Sequence, residues 1–209
     1  MNQDLLSWLT STLLADVGAR TLPTPIHALN PAWKVFGPAL TVQVPPGDNL
    51  AIHLALSIAA PGDVLVVDGA GYADRALMGD IMCTQAAASG IAGIVIDGAI
   101  RDINELRAAG LPVFARGASP NGPFKKGDGT VAMPIVCGSA PVRAGDWILG
   151  DADGVVVLPI EQKDTLIAAA AAKLEKEQAR LQAIGRGELL PPWLADAVGA
   201  ARIRVGNQT

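Results

Sequence analysis

The chain opens with a helical rhythm. Leu5, Leu6, Leu9, Leu13 and Leu14 recur at a spacing that places them on one face of a helix over residues 3–15. Asp16 falls at the end of that helix or in the next turn. Residues 21–38 hold four prolines and predict extended loop. From Ala39 to Val44 apolar and polar positions alternate among β-branched residues, the pattern of a strand. Asn49 to Ala60 return to helical spacing, with Asp48 or Asn49 as cap. Val64 to Asp68 is a nearly continuous apolar run, the kind buried on both faces of a sheet.

The pattern centres on Gly79 to Asp102, GDIMCTQAAASGIAGIVIDGAIRD. It predicts a small-residue helix over Ile81–Ser89, stopped by Gly90, then a buried strand over Ile91–Ile96 that ends at Gly98. One helix and one strand thus separate Asp80 from Arg101-Asp102. In a compact α/β unit that connection can bring both to one edge of the sheet, where strand carboxyl ends hold ligands. Asp102 to Ala109 reads as a helix whose Asp102-x-x-Glu105 resembles a capping box.

Farther on, Pro112–Ala115 reads as a strand and residues 117–129 as a glycine- and proline-rich loop. Strands follow over Thr130–Gly138, Asp146–Leu149 and Val155–Leu158. A long Ala/Lys/Glu/Gln-rich helix runs from Glu161 to about Ile184. The tail carries Pro191-Pro192-Trp193 and reads as an arm against a neighbour. Single strands between helices, mixed with strands in succession, exclude a doubly wound sheet.

Composition narrows the class. The 209 residues hold no repeat or linker, so one domain is expected, with a C-terminal helical arm over about 161–209. Half the residues are hydrophobic and 17% charged, which implies burial at subunit interfaces beyond the monomer core. A net charge of −4 and no basic cluster larger than Lys125-Lys126 argue against nucleic acid as a partner. Cys83 and Cys137 sit in apolar surroundings and read as reduced thiols of a cytoplasmic protein. No signal peptide or membrane-spanning run is read in the chain. His27, His53 and the cysteines are too scattered for a zinc site, and His53 reads as structural. None of the lysines lies in an apolar strand that would lower its pKa, which disfavours Schiff-base chemistry.

Three features carry candidate chemistry. A hard divalent ion such as Mg²⁺ often takes one or two carboxylates and keeps several waters, which suits Asp102; the same side chain could cap its helix. The Arg101 fork could bind the carboxylate and keto oxygen of a 2-oxo acid, or pair with Asp97. Gly79 to Met82 start a helix whose free N–H groups suit an anion. On the long helix, Glu161, Glu175 and Glu177 could equally form a solvated face of i,i+4 pairs.

Asp80, twenty intervening residues and Arg101-Asp102 form a signature that resembles the RraA-like family. GDNLAIH (47–53), PGDVLVVD (61–68) and GDADGVVVLP (150–159) resemble it too, so the likeness runs from about Asp16 to Pro159. Ala76 stands where the aldolases usually have glycine. The family's catalytic members are metal-dependent 4-hydroxy-4-methyl-2-oxoglutarate (4-carboxy-4-hydroxy-2-oxoadipate) aldolases; another branch binds and inhibits a ribonuclease. The resemblance implies an α/β fold of the swivelling ββα type, with a mixed β core flanked by helices, assembled as a homotrimer or homohexamer. It implies Mg²⁺, or Mn²⁺, on Asp102, with Arg101 at the 2-keto acid. The amides of Ile81 and Met82, opened by Gly79, would take the pyruvyl carboxylate. Asp80 would hydrogen-bond water on the metal. A glutamate from a neighbouring subunit, assigned to Glu177, would reach the same waters. The implied reaction cleaves a 4-hydroxy-2-oxo acid to pyruvate, with oxaloacetate decarboxylation through the same enolate. The alternative is a non-catalytic regulator that binds a ribonuclease.

Overall fold

The structure is a computed structural model that describes residues 2–201 and 203. Its leucine-rich start forms two helices, α1 (Asn2–Trp8) and α2 (Ser11–Asp16), in place of the single helix expected. The break falls at Thr10, which is extended and whose Oγ1 accepts from the Leu13 N–H at 3.2 Å. A cap thus interrupts an otherwise continuous apolar stripe.

Two short strands follow, β1 (Arg20–Thr21) and β2 (His27–Ala28), then the long β3 (Val35–Gln43). β3 begins inside the proline-containing segment expected as loop. Its parallel ladder with the next strand starts at Ala39, after Pro38, so the missing proline N–H breaks no bond on that side. The order continues with α3 (Leu50–Ile58), β4 (Val64–Asp68), β5 (Ala76–Met78), α4 (Asp80–Ala88), β6 (Gly93–Ile100), α5 (Ile103–Ala109) and β7 (Val113–Ala118). The strand expected over 130–138 is split into β8 (Thr130–Val131) and β9 (Ile135–Cys137), with Ala132 between them at φ 58°. Then come β10 (Ala140–Val142), β11 (Trp147–Asp151), β12 (Gly154–Leu158), α6 (Lys163–Gly185) and α7 (Leu194–Ala200).

The main sheet is mixed, in the order β1-β12-β11-β3-β4-β6-β7-β2. β3, β4, β6 and β7 are parallel at its centre, and β11, β12, β1 and β2 pair antiparallel at the two sides. This is the mixed β core flanked by helices that the swivelling ββα class predicts. Alternate residues of β4 divide between two cores. Leu65 and Val67 pack with residues of α3 and α4, while Val64 and Val66 pack with Phe114, Ile148 and Val157. Burial on both faces explains why the run 64–68 is apolar throughout.

The chain divides into two compact units, Met1–Ala171 and Ala172–Thr209. The first holds the sheet and the candidate site. In the second, Arg180 donates to the carbonyls of Glu188 and Leu189, each at 2.7 Å, and α7 buries no residue. Among the described residues, no helix is long and apolar enough to cross a membrane.

Candidate active site

The site forms where β5 and β6 end side by side. β6 starts two residues later than its apolar run and continues past Gly98 to Ile100. Ala99 and Ile100 pair with Ala76 and Met78 on one side and with Gly117 and Ala118 on the other, across a register shift. Ala76 pairs with Ala99 beside this register shift and is not among the residues of positive φ, so its backbone does not call for glycine.

Immediately after β6, Asp102 takes a left-handed conformation, φ 62° and ψ 44°. Aspartate is one of the few non-glycine residues that visit this region. Asp102 makes no side-chain cap bond to α5, so the expected capping box does not form. Instead its Oδ2 accepts the backbone N–H of Asp80, the first residue of α4, at 2.9 Å. The Arg101 Nε lies 3.5 Å from the same oxygen. Asp97, the alternative partner for Arg101, is taken by Arg116. Arg101 and Asp102 thus meet the start of α4, as the spacing predicted.

Gly79 makes this meeting possible. Its backbone is extended, so left-handed freedom is not the reason for glycine here. A Cβ would run into Asp102 Oδ2 and would come within 2.8 Å of Arg101 Cγ and 3.0 Å of its Nε. The absent side chain makes room for the arginine and aspartate as well as for any ligand.

Two cavities flank Arg101. One of about 140 Å³ is lined by Asn49, His53, Leu77, Met78, Gly79, Ile81, Met82, Arg101, Pro123 and Lys125. The other, of about 360 Å³, is lined by Arg101, Asp102, Ile103, Ala118, Ser119 and Pro120. Ile81 is exposed and Met82 buried, so the two residues expected to offer amides stand on the same wall with different surroundings. Thr84 Oγ1 donates to Asp80 Oδ1 at 3.5 Å.

Pro123 and Lys125 of the loop 119–127 line the first cavity, and the loop is a pinned strap. Buried Asp48 accepts the N–H groups of Lys126 at 2.7 Å and Gly127 at 2.9 Å, as well as that of Leu50 at 2.9 Å. Burial alone would raise the Asp48 carboxyl, but these three donors outweigh it and hold it below its ordinary value. Arg75 donates to the Gly122 carbonyl at 2.7 Å and stacks over the Phe124 ring at 4.0 Å. The sequence marked this stretch only as loop, and its fastening rests on residues far away in the chain.

Asn49, at the N-cap position of α3, and His53, four residues on, line the cavity. Burial, followed by the charge of Lys125, pushes the His53 pKa down. His53, expected to be structural, lines this cavity. Lys34 lies outside the strands, as expected, yet burial lowers its pKa, with Asp151 opposing. Its Nζ donates to the Leu6 carbonyl at 2.7 Å, and it lines neither cavity beside Arg101. Glu177 lies in the second unit, where its carboxylate pairs with Lys173 at 3.3 Å, an i,i+4 contact on α6.

The donor set can be tested against a divalent ion. Among the described residues, no three His, Cys, Asp or Glu side chains converge. A closed zinc-type cage is therefore not built from this chain's described residues. The Cys83 thiol is pushed up to about 12 by burial first, with Asp80 and Asp102 adding to it. The bond from the Asp80 N–H to Asp102 Oδ2 brings the two acidic residues to one place. One or two carboxylates at the mouth of open cavities fit a hard ion that retains water, such as Mg²⁺.

Residues 10–157 match the family described as RraA-like, Aldolase/RraA. The chain belongs to the RraA-like family. It is 44% identical over 176 residues to a Halalkalibacterium halodurans protein provisionally named 4-hydroxy-4-methyl-2-oxoglutarate aldolase, covering 83% of this chain and 84% of that one. Its fold is similar to that of Streptomyces coelicolor RraAS2, described as an unusual member of the RNase ES inhibitor RraA family. That likeness has a TM-score of 0.75 and 29% identity, covering 86% of this chain and 96% of that one. The Thermus RNA-processing inhibitor RraA gives a TM-score of 0.66 at 32% identity, over 72% of this chain and 92% of that one.

Proposed function

We propose that this RraA-like chain is a divalent-metal-dependent aldolase that cleaves a 4-hydroxy-2-oxo acid, of the 4-hydroxy-4-methyl-2-oxoglutarate type, to pyruvate. The observation that carries this reading is the hydrogen bond from the Asp80 N–H to Asp102 Oδ2, with Arg101 on the same oxygen. It gathers the start of α4, a guanidinium and a carboxylate beside two cavities. The provisional name of the Halalkalibacterium relative supports the choice of substrate.

Asp102 would hold the ion, Mg²⁺ by preference and Mn²⁺ as a substitute, with Asp80 and a neighbouring subunit's Glu177 acting through water. When bound, the ion would polarise the 2-keto oxygen. Gly79, Ile81 and Met82 open α4, whose amides would take the pyruvyl carboxylate. Arg101 would orient the 2-oxo acid and stabilise the negative charge that develops as the C3–C4 bond breaks. Decarboxylation of oxaloacetate creates the same enolate and should be supported by the same residues. Lys125, the lysine that lines the cavity, is exposed and lacks the desolvation that equips a Schiff-base lysine.

Assembly as a homotrimer or homohexamer belongs to the same proposal, as does a cytoplasmic location with neither nucleic acid nor membrane as partner. Leu50, Leu54 and Ile58 form an exposed apolar row along α3, a surface suited to another copy. The test of function is a panel of 2-oxo acids with Mg²⁺, read by coupled detection of pyruvate. Turnover of a 4-hydroxy-2-oxo acid is expected. If none of the panel is turned over and the chain binds a ribonuclease at micromolar affinity or better, the regulator reading replaces this one.

A further inference from the structure

The Arg101 side chain lies between two glycines. On one side, a Cβ on Gly79 would come within 2.8 Å of Arg101 Cγ and 3.0 Å of its Nε. On the other, a Cβ on Gly122 would stand 3.2 Å from Arg101 Nη1 and, chain neighbours apart, meet no other described atom within 4 Å. Gly122 is not among the residues of positive φ, so its backbone does not call for glycine. Among the described residues, the guanidinium has one charged partner, Asp102 Oδ2, at 3.5 Å from Nε, and no hydrogen bond fixes Nη1 or Nη2. Packing against the strap, rather than a bond of its own, therefore sets the direction of the fork.

That wall is held from the edge of β5. Arg75 Nη1 donates to the Gly122 carbonyl at 2.7 Å, and the Ala76 N–H donates to the Asn121 carbonyl at 2.9 Å. Arg75 is fixed in its turn. Its guanidinium lies 4.0 Å over the Phe124 ring, and its stem runs beside Gly47, where a Cβ would come within 3.1 Å of Arg75 Cδ. The Phe124 N–H donates to the Gly47 carbonyl at 2.8 Å, which closes the arrangement. Arg75 lines neither cavity beside Arg101, so its reach toward a substrate is indirect. We propose that Arg75 is a positioning residue: by holding the Gly122 backbone against Nη1, it aims the Arg101 fork at the 2-oxo acid. This rests on the aldolase reading, in which Arg101 stabilises the charge that develops in the transition state, and a fork turned out of line loses that directed contact first.

The test is a double-mutant cycle on turnover of 4-hydroxy-4-methyl-2-oxoglutarate with Mg²⁺, with kcat and KM read separately and a thermal melt of each variant. Arg75→Met keeps a long apolar stem and loses the donor, while Gly122→Ala sets a methyl against Nη1. Each is expected to lower kcat roughly tenfold, the scale of one hydrogen bond to a charged group, with KM little changed. In an Arg101→Lys background, which has no fork to aim, the same changes should cost less than about twofold, the range within which independent sites add. Arg75→Lys, which keeps a charged donor, should recover part of the loss. Should Arg75→Met fail to fold, Gly122→Ala alone closes a cycle with Arg101→Lys. Equal losses in both backgrounds, or a kcat close to wild type in the single variants, overturn the inference while wild-type turnover leaves the aldolase reading standing. Absence of wild-type turnover overturns the aldolase reading and the inference together.

Discussion

The backbone N–H of Asp80 donates to the carboxylate of Asp102 across 2.9 Å. These residues are separated by a helix and a strand, yet one hydrogen bond joins the start of α4 to the turn after β6. The left-handed backbone of Asp102 and the missing side chain of Gly79 both serve this contact.

Gly79→Ala tests the close approach. The new methyl would displace Asp102 and Arg101 together, because its position overlaps both. Turnover should fall by about 100-fold, the scale for a misplaced reacting group. The cost in stability should be about 1–3 kcal/mol, typical of overpacking. Steady-state kinetics beside a thermal melt separate the two effects.

Asp102→Asn tests charge against shape. Asparagine tolerates the left-handed conformation and its carbonyl oxygen can still accept the Asp80 N–H. Stability should hold within about 0.5 kcal/mol, the range of changes that disturb no packing or cap, while Mg²⁺-dependent turnover disappears. Asp102→Ala should add a backbone penalty of about 1–2 kcal/mol. Denaturant melts of the pair measure that difference.

Arg101→Lys keeps the charge but loses the planar fork. Turnover of oxaloacetate should drop roughly 100-fold, as when one transition-state donor is removed. Kinetics close to wild type would give Arg101 a structural role only.

Asp48 carries a pH signature. Its folded pKa lies below the ordinary 3.8. The unfolded chain therefore takes up the proton first as pH falls. The contribution of Asp48 is complete well above the ordinary value and is lost as pH falls from there through the folded value. Asp48→Asn should be less stable than wild type at pH 7 by about 1–3 kcal/mol. The gap should narrow below about pH 4, the unperturbed carboxylate range. Urea melts at both ends of that range test it, and a gap that stays constant would assign the loss to shape alone.

The fold was legible where one force dominated. Runs buried on both faces, such as Val64–Asp68, announced the parallel centre of the sheet. The spacing of Asp80 from Arg101-Asp102 announced their meeting. The break at Thr10 was hidden because a cap overrode a continuous apolar stripe, and β5 was hidden because three residues carry too little pattern. The reason for Gly79 lies in side chains more than twenty positions away, which no local rule reports. Asp48 or Asn49 read as the cap of α3; Asn49 holds the cap position but makes no cap bond, its amide being committed to Leu77, while Asp48 accepts the Leu50 N–H. The fastening of the strap by Asp48 depends on contacts 78 and 79 residues apart.

The most direct measurement is pyruvate release from 4-hydroxy-4-methyl-2-oxoglutarate by wild-type protein and Asp102→Asn, each assayed with Mg²⁺ and after EDTA. The expected result is turnover by wild type with Mg²⁺, loss of that turnover with EDTA, and at least a roughly 100-fold loss in Asp102→Asn, the scale for removing one transition-state stabiliser. Full activity after EDTA, or wild-type rates in Asp102→Asn, would contradict a metal-dependent site built on Asp102.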